Sequence, residues 1–130
     1  MSLGDPAIVI VGAIASAGLG LTRGKDLFAG PLRPGRGRVV IAQATGGPPP
    51  QLMSRGQAEI RTVQVQVWSA PDEYEAGMTL AEQILAAVHR REIGGYYHTE
   101  VREAGPVPIG RDDSDRIGFA MNVELHGIRR

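Results

Sequence analysis

Hydrophobic and polar residues alternate strictly over residues 61–68, and this pattern predicts a β-strand. Valine stands at every second position of the segment, namely at Val63, Val65 and Val67. Because successive side chains of a strand point to opposite faces, the valines share one face and Gln64 and Gln66 share the other. Trp68 falls on the glutamine face, where either a loop of the same chain or a neighbouring subunit is expected to cover it.

Residues 72–91 follow as the longest predicted helix. Its apolar residues recur at spacings of three and four, at Tyr74, Met78, Ala81, Ile84, Leu85 and Val88. Ser69 or Asp72 is expected to cap the helix, and Pro71 suits the first turn because its missing N–H would be unpaired there. The glycine pair at 94–95 is expected to end the segment. We expect the apolar stripe to cover the valine face of the strand.

A second helix is predicted near the N-terminus. Asp5 is a good N-cap and Pro6 a good first helical residue. The apolar residues at helical spacing are Ile8, Val11, Ile14, Ala15 and Leu19. Residues 8–11 would equally suit a buried strand, so that alternative stays open. Gly18 or Gly20 is expected to stop the helix.

Three further strands are predicted, over residues 38–45, 96–103 and 117–125. The last has the clearest alternation, with the apolar series Ile117, Phe119, Met121, Val123 and Leu125. In the second, one side is expected to carry Tyr97, Thr99 and Val101. The second and third strands are expected to form an antiparallel pair.

The predicted fold class is α+β, in one domain covering residues 1–130. The element order is helix, strand, strand, helix, strand, strand, and it favours an antiparallel or mixed sheet of about four strands with two helices on one face. Long loops are expected at 22–37, 46–58 and 104–116. The proline run at 48–50 makes the second of these stiff and projecting.

Composition narrows the function classes. The chain has 14 Lys and Arg against 14 Asp and Glu, so its net charge gives no global attraction to nucleic acid or membrane. It has no cysteine, which excludes disulfides and thiolate metal sites. The long apolar run at residues 7–21 is shorter than the roughly 20 residues that a membrane span needs, so a soluble protein is expected. The 18 glycines suggest a subunit that relies on its neighbours for part of its burial.

Searches for catalytic and metal-binding motifs give only weak candidates. There is no G-x-G-x-x-G and no G-x-S-x-G. Asp113, Asp115, Gly118 and Glu124 match positions of a calcium loop, but Ile117 stands where a ligand is needed.

The histidines give one further candidate. His98 and His126 can lie on one polar sheet face beside Glu100 and Glu124, which keeps a small metal-binding or enzymatic domain as an alternative. We otherwise expect no catalytic centre, no bound metal and no cofactor.

The loop at 22–37 is strongly basic for a neutral protein. It and the residue after it carry Arg23, Lys25, Arg33, Arg36 and Arg38 against one acid, Asp26. It is either a solvated connection or a basic edge that faces phosphate or an acidic partner. Leu27, Phe28 and Leu32 can anchor it to the core or to a neighbour.

The chain resembles the tail terminator and minor capsid proteins of long-tailed bacteriophages and of gene transfer agents. The resembling segments are the strand at 62–68, the helix opening at 72–76, residues 80–84 within that helix, and 108–112 before the last strand. The N-terminal helix and residues 27–31 also fit. The resemblance therefore covers most of the chain.

The resemblance implies a structural virion protein and no enzyme. Such proteins form a ring, usually a hexamer, that caps the tail tube, stops its polymerisation and joins it to the head connector. The implied partners are other copies of the chain, the tube protein and the connector, with DNA as passing cargo and no membrane. The implied location is the head–tail junction of a virion or gene transfer agent particle, assembled in the bacterial cytoplasm. A head–tail connector or a tail tube subunit is the alternative.

Ring formation would place contact residues on the loops and edges. The residues expected at interfaces are Leu27, Phe28, Pro48, Pro49, Pro50, Arg55, Trp68, Arg111, Asp112 and Asp113. The residues expected to face the lumen or DNA are Arg23, Lys25, Arg33, Arg36 and Arg38.

Overall fold

The computed structural model describes residues 4–47, 51–53 and 56–129. Within them it has two helices, α1 (Pro6–Ser16) and α2 (Tyr74–Val88). The strands of the described residues are β1 (Leu27–Ala29), β2 (Val39–Gly46), β3 (Gln51–Met53), β4 (Gly56–Ser69), β5 (His98–Val101), β6 (Val107–Arg111) and β7 (Ile117–Arg129). The α+β class is confirmed.

The strands form one mixed sheet in the order β1-β2-β4-β7-β5, with β3 also paired to β4 and β6 also paired to β7. Its centre is the long antiparallel pair of β4 and β7, which runs from Gln57 opposite Arg129 to Ser69 opposite Ile117. The pair of β1 and β2 is parallel, and the other pairs are antiparallel. The predicted antiparallel pairing of the strands now labelled β5 and β7 is confirmed.

The predicted count of about four strands and the predicted element order are wrong. Three short strands, β1, β3 and β6, lie in the segments 22–37, 46–58 and 104–116 that the sequence predicts to be loops. Strands of three to five residues carry too little alternation to be recognised, and they exist because a longer neighbour offers them backbone partners. The strand predicted at 61–68 also begins earlier, at Gly56.

Both helices lie on the same face of the sheet, as predicted. One core cluster joins them to the valines of β4 and to the apolar series of β7, and its helical members are Ala7, Ile10, Val11, Ile14, Leu80, Ala81, Ile84 and Val88. Val63, Val65 and Val67 are fully buried there. The helices therefore cover the valine face, and the opposite face, called here the polar face, keeps Gln64 and Gln66.

Helix α1 begins where the sequence predicts. The Asp5 carboxylate accepts hydrogen bonds from Ala7 N at 2.9 Å and Ile8 N at 3.2 Å, so Asp5 is the N-cap and the strand alternative is wrong. The predicted stripe is wrong at Ile8, whose side chain is 46% exposed, and at Ala15, which is also exposed. Because almost every residue of this helix is apolar, periodicity alone does not determine which side faces the core.

Helix α2 is shorter than predicted at both ends. It begins at Tyr74 with Glu73 as an N-cap that makes no side-chain bond, so neither Ser69 nor Asp72 caps it. The Ser69 hydroxyl instead donates to the carbonyl of Ile117. The helix ends at Val88, where the backbone of His89 becomes extended, and the Thr99 hydroxyl of β5 donates to the free Val88 carbonyl.

Two tyrosines occupy positions different from those predicted. Tyr97 is exposed and does not share the buried side of Thr99 and Val101. Tyr96 is fully buried, and its hydroxyl donates to Gly4 O at 2.7 Å. The strand begins only at His98, since Tyr96 closes a turn with Ile93 just before it.

Candidate functional site

Trp68 is covered within the subunit. On the polar face of the sheet it packs with Val39 and Ile41, and Phe28 and Leu32 lie over this small cluster. The indole N–H donates to the Gln66 side-chain oxygen at 3.0 Å. Of the two expectations for this tryptophan, the structure shows cover by a loop of the same chain.

That cover is the crossover, defined as residues 30–38, which connects the parallel strands β1 and β2. Arg116 holds it in place: its guanidinium donates to Arg33 O at 2.5 Å and to Gly37 O at 3.3 Å. The same guanidinium pairs with the Asp112 carboxylate at 2.6 Å, and the two side chains are 3% and 10% exposed. Asp112 thus works inside the subunit, where it neutralises a buried cation.

The ionisation of Asp112 follows from this arrangement. Burial raises the pKa of its carboxyl group, but hydrogen bonds from Arg116 and Ser114 and the charge of Arg116 outweigh that cost, so the net shift of the pKa is downward. Its second oxygen accepts from Ser114 N at 3.0 Å and Arg116 N at 2.8 Å. The carboxylate therefore remains charged through the neutral range.

Three of the basic residues line one open crevice of about 230 Å³ beside the crossover, namely Lys25, Arg33 and Arg38. The Arg33 guanidinium lies 4.1 Å from the centre of the Phe28 ring, a cation–π contact. Arg38 forms an ion pair with Asp26 at 3.2 Å. Among the described residues, Arg23, Lys25 and Arg36 have no ion-pair partner, and all three are exposed.

Of the residues expected at interfaces, some are buried, some are exposed and some lie outside the described residues. Leu27 is fully buried in the core, so its side chain offers no surface. Arg111 is exposed and donates to Pro71 O and Asp115 O, and Asp113 is exposed beside it. Pro48, Pro49, Pro50 and Arg55 lie outside the described residues.

Exposed apolar side chains lie along β6, at one edge of the sheet, within the 104–116 segment that the sequence predicts to be a contact loop. All five residues of β6 are exposed, and Val107 and Ile109 are large hydrophobic members. Tyr74, at the start of α2, is exposed near them, with its ring against Phe119 at 5.2 Å. The only sequence signal is a proline between two aliphatic residues, which is typical of an edge strand.

The histidine and glutamate residues of the polar face do come together. His98 lies opposite His126 and Glu100 opposite Glu124 in the pairing of β5 and β7. A hydrogen bond from His98, 2.9 Å long, lowers the pKa of Glu100 and outweighs the opposing effect of burial, and the charge of Arg90 also lowers it. In the part of the chain that the structure describes, no three His, Cys, Asp or Glu residues are arranged to hold a metal ion.

The residues that match a calcium loop do not surround a common point. Gly118 and Glu124 lie in the extended strand β7, while Asp113 and Asp115 belong to the turn before it. An extended strand rises about 3.3 Å per residue, so these positions are strung along the sheet instead of curling round an ion.

Comparison with known families gives one match. The model of a family described as "Bacteriophage tail terminator protein" matches residues 13–127, which run from within α1 almost to the end of β7. No curated protein matches the chain. Neither helix of the described residues has the length and apolar character that a bilayer crossing requires.

Proposed function

The chain belongs to the bacteriophage tail terminator family, and from that membership we propose that it forms a ring that caps the tail tube, ends tube polymerisation and joins the tube to the head connector. Membership itself gives the chain a structural role in a phage tail. The observation that carries the finer proposal is the extent of the match, which takes in the whole α2 helix and all the central strands.

The shape of the subunit supports closure into a ring. One edge of the sheet is formed by β1 and β2, and the other by β5 and β6. Both edges carry exposed apolar side chains, with Ile8 near the first and Val107 and Ile109 on the second. Two different edges joined head to tail generate a ring when the rotation closes, and we propose a hexamer.

The two sides of such a ring have different tasks. We propose that one side binds the end of the tail tube and the other binds the head connector, in a virion or a gene transfer agent particle. No sequence or structural feature of the described residues calls for catalysis in this role.

We propose that the basic crevice faces the lumen through which DNA passes. Lys25 in the crevice and Arg36, between two residues that line it, support this, because both are exposed and have no ion-pair partner among the described residues. Phosphate contacts of this kind are independent of sequence and weaken steeply as salt increases.

The lumen assignment is tested with the double variant Lys25→Glu/Arg36→Glu. Purified rings of this variant are expected to lose the weak, salt-sensitive binding of short duplex DNA that the unmodified ring shows at low salt. The matched double variant Arg90→Glu/Arg91→Glu, just after the C-terminal end of α2, is expected to keep it. Equal binding by both variants would remove the lumen assignment and leave the capping proposal intact.

The capping proposal is tested in particles. Assembly in a host that lacks the gene for this chain is expected to give tails of variable, excessive length and heads without tails, seen by electron microscopy. Supplying the chain is expected to restore uniform length. Tails of normal length and normal joining in its absence would contradict the proposal.

A further inference from the structure

The two open edges of the sheet, at β2 and at β6, differ in shape and in their free hydrogen-bonding groups. We propose that β6 of one subunit docks into a notch beside β2 of a second copy of the chain, antiparallel to β2. The inference deepens the proposed ring and rests on it. It assigns the contact to two named edges, which ring formation alone does not do.

The notch lies beside the second half of β2, beyond the end of β1, where β2 has room for a further strand. Strand β1 pairs with β2 only from Val40 to Ala42, so the rest of β2 has no neighbour on that side among the described residues. A depression of about 380 Å³ lies there, and its lining is mostly small and apolar: Asp5, Ala7, Ile8, Ala29, Gly30, Ala42, Gln43 and Ala44. An added strand would complete the sheet beneath α1.

Backbone direction shows that this edge offers hydrogen-bonding groups. Val40 N donates to Asp26 O and Ala42 O accepts from Gly30 N, both at 2.9 Å, so alternate residues of β2 face the β1 side. Ala44 is the next residue of that series, and no described strand pairs with it there. Its N–H and carbonyl therefore face the notch.

Strand β6 is the matching element. All of its residues are exposed, and long exposed hydrophobic edges are rare in proteins that remain monomeric. Val107 pairs with Ala120, in the series of β7 residues whose carbonyls turn toward β5 and β6, so Pro108 turns its backbone outward. Proline has no N–H, so at Pro108, just before the register shift between Pro108 and Gly110, this edge accepts but cannot donate.

That asymmetry favours a head-to-tail contact over two copies of β6 meeting. The Pro108 carbonyl needs a donor, and the outward Ala44 N–H is one. In that register Ile109 falls opposite Gln43, and β6 has to leave β2 after Ile109, because β1 already pairs with residues 40–42. Direction also agrees, because β6 is antiparallel to β7, β7 to β4 and β4 to β2, so a second copy in the same orientation presents β6 antiparallel to β2.

The charges at the two edges and the positions of the two helices also favour docking of β6 beside β2. Among the described residues that line the notch only Asp5 is charged, and Arg111 is the one charged residue of β6. The helices also contribute, since Ile8 of α1 is exposed at the notch and Tyr74 of α2 is exposed near β6. Docking would cover both side chains and continue the helix layer along with the sheet.

Disulfide trapping tests the contact directly, because the chain has no cysteine of its own. Single variants Gln43→Cys or Ala44→Cys are mixed with Val107→Cys or Ile109→Cys and oxidised. Gln43 and Ala44 lie on opposite faces of β2, so the four mixtures sample both faces of the notch, and paired strands bring Cα atoms within the roughly 7 Å that a disulfide allows. We expect a linked pair of chains in at least one mixture, well above the level with Glu82→Cys, an exposed α2 position, in place of the notch variant.

A measurement of the native mass in solution distinguishes failure of the β6 contact from failure of the ring proposal. If the unmodified chain is oligomeric and no mixture exceeds the control, the β6 contact is wrong while the ring proposal stands. If the chain is monomeric at every concentration and no link forms, both fail. Linking of Ile109→Cys to itself, with none to the notch, would show that two β6 edges meet and would also overturn the head-to-tail contact.

A second variant guards against cysteine effects. Ile109→Asp is expected to weaken self-association about tenfold or more, the effect of removing a central apolar anchor. Tyr97→Asp makes a comparable change at an exposed position just before β5, away from β6, and is expected to leave association within about twofold. Equal effects of the two variants would contradict the contact.

Discussion

At the residue scale, Arg116 and Asp112 do the most to shape the polar face. From the sequence, Asp112 is expected at an interface, yet its ion pair with Arg116 is nearly buried and fixes the crossover that covers Trp68. A buried charge is tolerated only when it is paired and hydrogen-bonded. Arg116 therefore connects the 112–116 turn to the crossover, since its buried charge is neutralised by Asp112 while its guanidinium donates to crossover carbonyls.

Asp112→Asn tests this connection. It leaves the Arg116 guanidinium without its counter-charge, and we expect the free energy of unfolding to fall by about 3 kcal/mol. Asp113→Asn, at the exposed neighbouring position, is expected to change it by less than about 0.5 kcal/mol. Urea unfolding at one protein concentration measures both, and equal values would show that the ion pair does not support the fold.

The pH dependence of the same pair has a definite sign. Because the folded state holds the pKa of Asp112 below its ordinary value, this group contributes stability above about pH 4 that is lost as the pH falls through its folded pKa. The stability difference between the unmodified chain and Asp112→Asn is expected to be constant near neutrality and to shrink below about pH 4. A difference that stays constant down to pH 2 would contradict the assigned charge.

At the element scale, two helical glycines have opposite surroundings. A Cβ added at Gly77 of α2 would lie 2.6 Å from Ser69 Oγ and 2.8 Å from Phe119 Cε2. One added at Gly12 of α1 would have nothing within 4 Å. Gly77 therefore lets α2 approach the sheet closely, and Gly12 has no such packing reason.

The pair of alanine variants tests this close approach. Gly12→Ala is expected to stabilise the chain by about 0.5–1 kcal/mol, since alanine favours a helix. Gly77→Ala is expected to destabilise it by about 1–3 kcal/mol, because the clash outweighs that gain. Thermal unfolding of both variants decides the matter, and stabilisation by Gly77→Ala would show that α2 does not depend on contact at this point.

The sequence predicts those elements whose patterns are long. The alternation of β4 and β7 and the Asp5 cap of α1 are local signals, and the structure confirms each. The pairing of β4 with β7 joins residues 48 to 72 positions apart, and nothing local in either strand identifies the other. Strands β1, β3 and β6 each depend on a longer neighbour, β2, β4 and β7 respectively, so a local pattern could not reveal them.

The candidate surfaces could be predicted only in part, because exposure depends on pairing between strands that are distant in sequence. The basic residues of 23–38 are evident from composition, and three of them do line one crevice. The edge surface of Val107 and Ile109 becomes visible only once β6 is placed beside β7, because exposure of an aliphatic residue depends on what lies next to it. Leu27 shows the converse, since a residue expected on a loop lies instead in the core.

At the scale of the whole molecule, the subunit is a helix-covered sheet with two unlike open edges. That arrangement buries a core of its own and leaves strand pairing and apolar side chains for other copies. The chain belongs to the bacteriophage tail terminator family, and a subunit with two unlike open edges suits the proposed head-to-tail ring, in which self-association is the central property.

Growth of tail tubes in solution tests the central claim most directly. The tube protein encoded with this chain is allowed to polymerise with and without the purified chain, and tube lengths are measured by electron microscopy. We expect far fewer chains than tube subunits to halt growth, with a ring visible at one end of each shortened tube. Unchanged tube lengths, or this chain incorporated all along the tube, would contradict the account, and the second result would identify a tube subunit instead.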